Sequence, residues 1–155
     1  MQLARNLKID SVSRLHPSAP LQVGPHHSIA EAVSLMRREG VGCVLVTEGQ
    51  NIRGIFTERD LMRRVLAAGK PLTLPVAQCM STNPETVHPK DSIAAALRRM
   101  EEGGYRHLPV VNDCGRPVGV LSVKQIVHYL VEHFPATVYN LPPDPDAIPQ
   151  EREGA

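Results

Sequence analysis

Three features predict a mixed α/β (α+β) fold built from two β-α-β-β-α repeats packed against each other. The first is an internal repeat. Residues 10–46 run in register with residues 74–110, so Val12 falls on Val76, Pro20 on Pro84, Val23 on Val87, Met36 on Met100, Gly40 on Gly104 and Val46 on Val110. One extra residue in the following loop changes the shift from 64 to 65, and Gly54-Ile55-Phe56-Thr57 then meets Gly119-Val120-Leu121-Ser122. The second is an apolar helical period near the start of each copy, and the third is a pair of short apolar runs split by a turn. Two copies of one unit normally bury their apolar faces on each other. A half of about 60 residues is marginal alone, which favours one packed unit.

The elements follow in order. Residues 1–9 form a lead-in with a short helix, and residues 10–70 the first repeat. Its extended segment ends at Pro25, and Ser28 with Glu31 three residues later signals a capping box. Ile29, Ala32, Val33 and Met36 form the apolar stripe of the helix, which Gly40 stops. Cys43-Val44-Leu45-Val46 and Gly54-Ile55-Phe56 flank a turn at Glu48-Gly49-Gln50-Asn51, and a closing helix is expected from Glu58 to about Ala68. The second repeat, residues 71–134, begins with a helical turn around Val76–Met80. Ser92 is the N-cap of its helix; Ile93, Ala96, Leu97 and Met100 make the stripe, and Gly103-Gly104 ends it. Leu108–Val111 and Pro117–Leu121 form the second hairpin, before a closing helix from Val123 to about His133. Residues 135–155, with five prolines among acidic and small residues, read as a mobile tail.

Bulk properties narrow the function classes. The formal net charge is +1, there is no block of like charge, and the chain lacks Trp, so neither a basic field nor stacking platforms for nucleic acid are expected. Cys43, Cys79 and Cys114 are odd in number and have no CxxC spacing, which speaks against a disulfide framework or zinc ribbon and suits a reducing compartment. No apolar run is long enough to span a membrane, and MQLARNLKID lacks the core of a signal peptide; the expected location is cytoplasmic. His26-His27 point apart on an extended segment and read as loop rather than metal ligands. No nucleophile with a base and no phosphate loop is present, so no catalytic residue is assigned and the chain is expected not to be an enzyme.

Thr57-Glu58-Arg59-Asp60 lies where a strand gives way to a helix, and free N–H groups there suit an anion or a hydroxyl acceptor. The plain alternative is a helix cap, with Thr57 capping and Asp60 as the third-position acid.

The repeat, together with Asn83-Pro84-Glu85-Thr86-Val87-His88-Pro89, Gly104-Tyr105-Arg106-His107-Leu108-Pro109 and Gly54-Ile55-Phe56-Thr57-Glu58-Arg59-Asp60, resembles the CBS-domain family over roughly residues 10–133. The resemblance implies a pseudo-twofold pair of repeats with two clefts that bind adenosine derivatives (AMP, ADP, ATP or S-adenosylmethionine) as regulatory ligands, with no catalytic cofactor. By that resemblance Asp60 pairs with ribose hydroxyls beside Thr57, and Arg106, His107 and Lys124 contact phosphate. Adenine is then expected between Thr86-Val87 and Ile55-Phe56. The second cleft carries Ser122 but Gln125 in place of the acid, and Gly42-Cys43 replace the cationic pair, leaving Arg59; it is expected to be weak or empty. The implied partners are the small molecule, a second copy in a homodimer, and a regulated protein the sequence does not specify. The rival reading is a dimerisation or docking module with vestigial clefts, using Leu61, Met62, Val65, Ile126, Val127 and Leu130.

Overall fold

The structure, a computed structural model, describes residues 2–133; the expected tail at 135–155 lies outside the described residues. Helix α1 (Gln2–Ile9) precedes a 3₁₀ turn at Val12–Leu15. The first copy continues with β1 (Gln22–Val23), α2 (Ile29–Glu39), β2 (Cys43–Glu48), β3 (Asn51–Thr57) and α3, which opens as Glu58–Asp60 and runs on as a π-helix, Leu61–Leu66. After a 3₁₀ turn at Val76–Gln78 come β4 (Ser81–Thr82), α4 (Ile93–Gly103), β5 (His107–Val111), β6 (Pro117–Ser122) and α5 (Val123–His133).

The caps explain where the helices begin and end. Ser28 and Ser92 each accept a hydrogen bond from the N–H three residues on, at 3.1 Å in both copies. Glu31 does not complete the capping box; its carboxylate sits 4.0 Å from His27 instead. Gly40 (φ 65°) and Gly104 (φ 68°) close α2 and α4 in the left-handed region, where a residue without Cβ is favoured.

The first sheet has the order β1-β2-β3-β4, with β1 parallel to β2 and the other pairs antiparallel. The second repeats the scheme in shorter form: β5 and β6 pair antiparallel, Val87 bridges Val110 in parallel, and Ser18 bridges Val120. Register slips at Val46/Thr47 and Val110/Val111, positions equivalent under the repeat.

The packing units are not the sequence repeats. Val12 and Leu15, from the first copy, sit in the core with Val87, Ile93, Met100, Leu108 and Leu121 of the second. Val76 and Cys79, from the second, complete the core around Ile29, Val44, Phe56 and Val65 of the first. A third cluster of Cys43, Leu45 and Ile55, with Val120 against it, lies between the two sheets. Each copy thus lends the stretch ahead of its first strand, its own lead-in at Val12 and Leu15 or at Val76 and Cys79, to the other, and neither core is complete alone.

Gly54 is what lets β4 approach β3. A Cβ there would lie 2.6 Å from Met80 Sδ and 2.7 Å from the Ser81 carbonyl oxygen. Gly54→Ala should therefore cost about 1–3 kcal/mol by overpacking. A thermal melt reads this directly, and an unchanged Tm would mean that β4 yields freely.

The α3 geometry departs from the plain α-helix expected for Glu58–Ala68. Ala67 N–H donates to Met62 O, five residues back, at 2.9 Å. The inward groups of this helix, Asp60 (6% exposed) and Val65 (0%), are five residues apart. In an α-helix that spacing separates side chains by about 140°; a wider turn brings both inward. In α5 the buried residue nearest one turn beyond Gln125 is Tyr129, four residues on, and that helix stays regular.

Of the six residues named for self-association, Val65 and Ile126 are core, and Leu61 and Leu130 pack against the cores. Met62 and Val127 remain outside, joined by Leu66, at 62%, 52% and 60% exposure.

Candidate functional site

A single cavity of about 1260 Å³ runs between the two copies. It exceeds the roughly 300–1,000 Å³ usual for small-molecule sites. Ile55, Thr57 and Asp60 line it from the first copy and Arg106, His107 and Lys124 from the second, together with Arg59 and Ser122. Four residues expected at the clefts lie outside its lining. Phe56 is fully buried in the first core and Val87 is 1% exposed in the second. Thr86 faces a smaller cavity of about 420 Å³, and its carbonyl accepts from Arg99 Nη1 at 2.7 Å. Gln125 is turned to the chain itself. From this stretch of the second copy, Asn83, Pro84 and Glu85 line the cavity, and Thr86 and Val87 do not.

Asp60 is placed by its helix start. Its Oδ2 accepts from Thr57 N–H (3.0 Å) and Thr57 Oγ1 (3.2 Å), while Thr57 Oγ1 accepts from Asp60 N–H (3.2 Å). This is a complete capping box, so the plain cap reading of this motif is realised. Oδ1 accepts from Ser81 Oγ of β4 (3.0 Å) and faces Arg64 Nε at 3.4 Å. One carboxylate therefore joins the closing helix of one copy to the lead-in of the other.

The equivalent arrangement in the second copy is neutral. Ser122 N–H donates to Gln125 Oε1 (2.8 Å), and Gln125 Nε2 donates to His16 O (3.2 Å) and Ser18 Oγ (3.1 Å). Both amide protons are spent on the lead-in of the first copy, which leaves Gln125 no donor for a ligand.

The charge around the cavity is lopsided. Six cations (Arg37, Arg59, Arg63, Arg64, Arg106 and Lys124) line it against three acids, Glu58, Asp60 and Glu85, in a chain of net charge +1. Arg59 Nη1 donates to Gly104 O at 2.9 Å, and Arg64 faces Asp60. Arg37, Arg63, Arg106 and Lys124 form no ion pair with any described residue. Positive potential in a concave, low-dielectric wall favours an anionic occupant.

His107 is half-buried, with Glu58 across a gap kept open by Gly42. A Cβ on Gly42 would sit 3.0 Å from Glu58 Oε1 and 3.2 Å from the imidazole. Burial holds the His107 pKa below its ordinary value; Glu58 pulls it up, and Lys124 and Arg106 push it down. Burial, then Glu58, pushes the Cys43 thiol up to about 12, which keeps it protonated at neutral pH.

Sequence reasoning missed Ser81, Arg64, Arg37, Arg63, Glu58 and Tyr105 as lining residues. Arg64 had a legible signal, since a basic residue four positions after an acid lies on the same helical face. Ser81 had none, because its role depends on β4 crossing to the other copy.

The CBS-domain family profile matches residues 12–67 and 76–132, and the chain belongs to the CBS-domain family. Among relatives, it is 30% identical over 122 residues to a 17.7 kDa protein of Acidianus ambivalens, covering 78% of this chain and 73% of that one. It is 35% identical over 101 residues to the CBS domain-containing protein YhcV of Bacillus subtilis, covering 65% and 71%. It spans only 14% of the meiotically up-regulated gene 70 protein of Schizosaccharomyces pombe, at 38% identity over 105 residues. Among solved structures, the CBS domain protein PAE2072 from Pyrobaculum aerophilum, complexed with AMP, matches with TM-score 0.71 and 26% identity, over 79% of this chain and 99% of that one. The CBS domain NE2398 matches with TM-score 0.73 and 27% identity, over 79% and 98%.

Proposed function

We propose that this chain is a regulatory sensor without catalytic activity, which binds an adenosine-type ligand in the Asp60 half of the cavity and passes its bound state to a partner protein. The observation that carries this reading is the meeting of Asp60 and Thr57 from one copy with Arg106, His107 and Lys124 from the other in one cavity. A carboxylate suits vicinal ribose hydroxyls, and guanidinium and ammonium groups suit phosphate. The AMP complex of the related PAE2072 supports the ligand class. The excess of cations favours AMP, ADP or ATP over S-adenosylmethionine, whose sulfonium adds positive charge. The neutral, self-satisfied Gln125 supports a single nucleotide per chain.

A thermal melt with each ligand tests the reading: stabilisation should follow RT ln(1 + [L]/Kd) for a nucleotide. No shift with any adenosine ligand contradicts it and leaves the docking reading.

His107 adds a pH signature. Because its pKa is depressed in the folded, empty protein, it is mostly neutral near pH 7. A phosphate beside it stabilises the imidazolium, so nucleotide binding should take up protons and strengthen as pH falls from 7 towards 6. Without ligand the sign for folding is opposite: the unfolded state binds the proton more readily, so stability declines as pH falls below about 6.5. Calorimetry in buffers of different ionisation heat checks the uptake against His107→Gln, a comparison that cancels the titration of the phosphate itself at about pH 6; equal proton exchange in the two proteins would remove His107 from the phosphate site.

The second reading, self-association, is favoured by Met62, Leu66 and Val127, large apolar side chains left exposed on the closing helices of the two copies. Light scattering at tens of micromolar should give twice the 17.0 kDa chain mass, and the chain mass alone rejects it.

A further inference from the structure

We propose that Arg64 selects the ligand of the Asp60 cleft: it holds the carboxylate while the cleft is empty and is displaced by the hydroxyls of a bound ribose. This rests on the functional reading above. Asp60 Oδ2 is committed to the helix cap through Thr57. Only Oδ1 has partners that can be exchanged, Ser81 Oγ at 3.0 Å and Arg64 Nε at 3.4 Å.

The two partners differ in what their removal disturbs. Ser81 is held by its strand, paired with Ile55 across the β3–β4 ladder, so its short side chain can turn its hydroxyl but cannot move out of the site. The Arg64 side chain is 53% exposed, and its separation from Oδ1 exceeds the roughly 2.7–2.9 Å of a tight charged hydrogen bond. Its other anchor is one bond from Nη1 to Met80 O, at 2.9 Å. Arg64 is therefore the group that yields.

Displacement has an electrostatic consequence that discriminates between ligands. An uncharged nucleoside takes the carboxylate and leaves the guanidinium without an anion. A phosphorylated nucleoside gives it one, because Arg64 lines the same cavity as the phosphate-side residues. The device belongs to the first copy alone: the position equivalent to Arg64 is Tyr129, whose hydroxyl donates to Asp10, and the neighbouring clamp is the neutral Gln125.

Titrating adenosine and AMP into the unmodified protein and into Arg64→Gln tests this. The variant should bind adenosine about two- to fivefold more tightly, the weight of a partly exposed ion pair removed. It should bind AMP about tenfold more weakly, the loss of a charged hydrogen bond. Arg64→Lys should restore the preference for AMP. In the unmodified protein the Arg64 Nε–H resonance should move when AMP is added, a readout that does not need the variant to fold. AMP binding with both affinities unchanged in Arg64→Gln, or moved in the same direction, overturns the role of Arg64 and leaves the Asp60 cleft standing. So does an unmoved Nε–H resonance at saturating AMP. No binding of either ligand to the unmodified protein overturns both.

Discussion

Replacing Leu15 by alanine is expected to destabilise the protein by about 2–5 kcal/mol, although Leu15 precedes every strand of its own copy. Leu15 is 6% exposed and packs with Val12 into the core of the second copy. Truncation leaves a cavity among Val87, Leu108 and Leu121 that close-packed neighbours fill only in part. For a chain of this size the melting temperature should fall by roughly 4–20 °C. Hydrogen exchange should quicken first in β5 and β6 rather than in β2 and β3. Unchanged stability, or loss confined to the first sheet, would show that the lead-ins are not exchanged.

The second large effect concerns Asp60. Asp60→Ala should weaken nucleotide binding by about ten- to a hundredfold, the loss of one or two charged hydrogen bonds. It should also lower stability by about 1–2 kcal/mol, because the cap on Thr57 and the link to Ser81 are lost together. Asp60→Asn separates the two roles. An amide oxygen can still accept from Thr57 N–H, so stability is largely kept, but the negative charge facing the ribose is gone. Full affinity in Asp60→Asn would reduce the motif to a helix cap.

The parts legible in the sequence are those fixed by local chemistry. Ser28, Ser92, Gly40 and Gly104 mark helix ends through their own side chains or φ angles, and α5 runs over Val123–His133 as the apolar period implies. What a repeat states is which residues are equivalent, not which ones touch. Val12 matches Val76, yet each packs into the other copy. The π-helix was hidden because it follows from two inward anchors, Asp60 and Val65, whose directions are set by Ser81 and the first core. The division of the strand residues between cavity and core had a signal in the sequence. Consecutive strand residues point to opposite faces, so Ile55 and Phe56 cannot both meet one cleft. Ile55 lines the cavity and Phe56 fills the core. Thr86 and Val87 divide in the same way, one towards the smaller cavity and one into the second core.

Calorimetric titration of AMP into the unmodified protein tests the ligand reading most directly. The expected isotherm has one site per chain with Kd of about 1 μM, near −8 kcal/mol. Below pH 7 it also takes up more protons than the same titration of His107→Gln, from His107 beside the phosphate. An isotherm with no heat at several temperatures and no accompanying shift in Tm, or one with two sites of similar affinity, would contradict it.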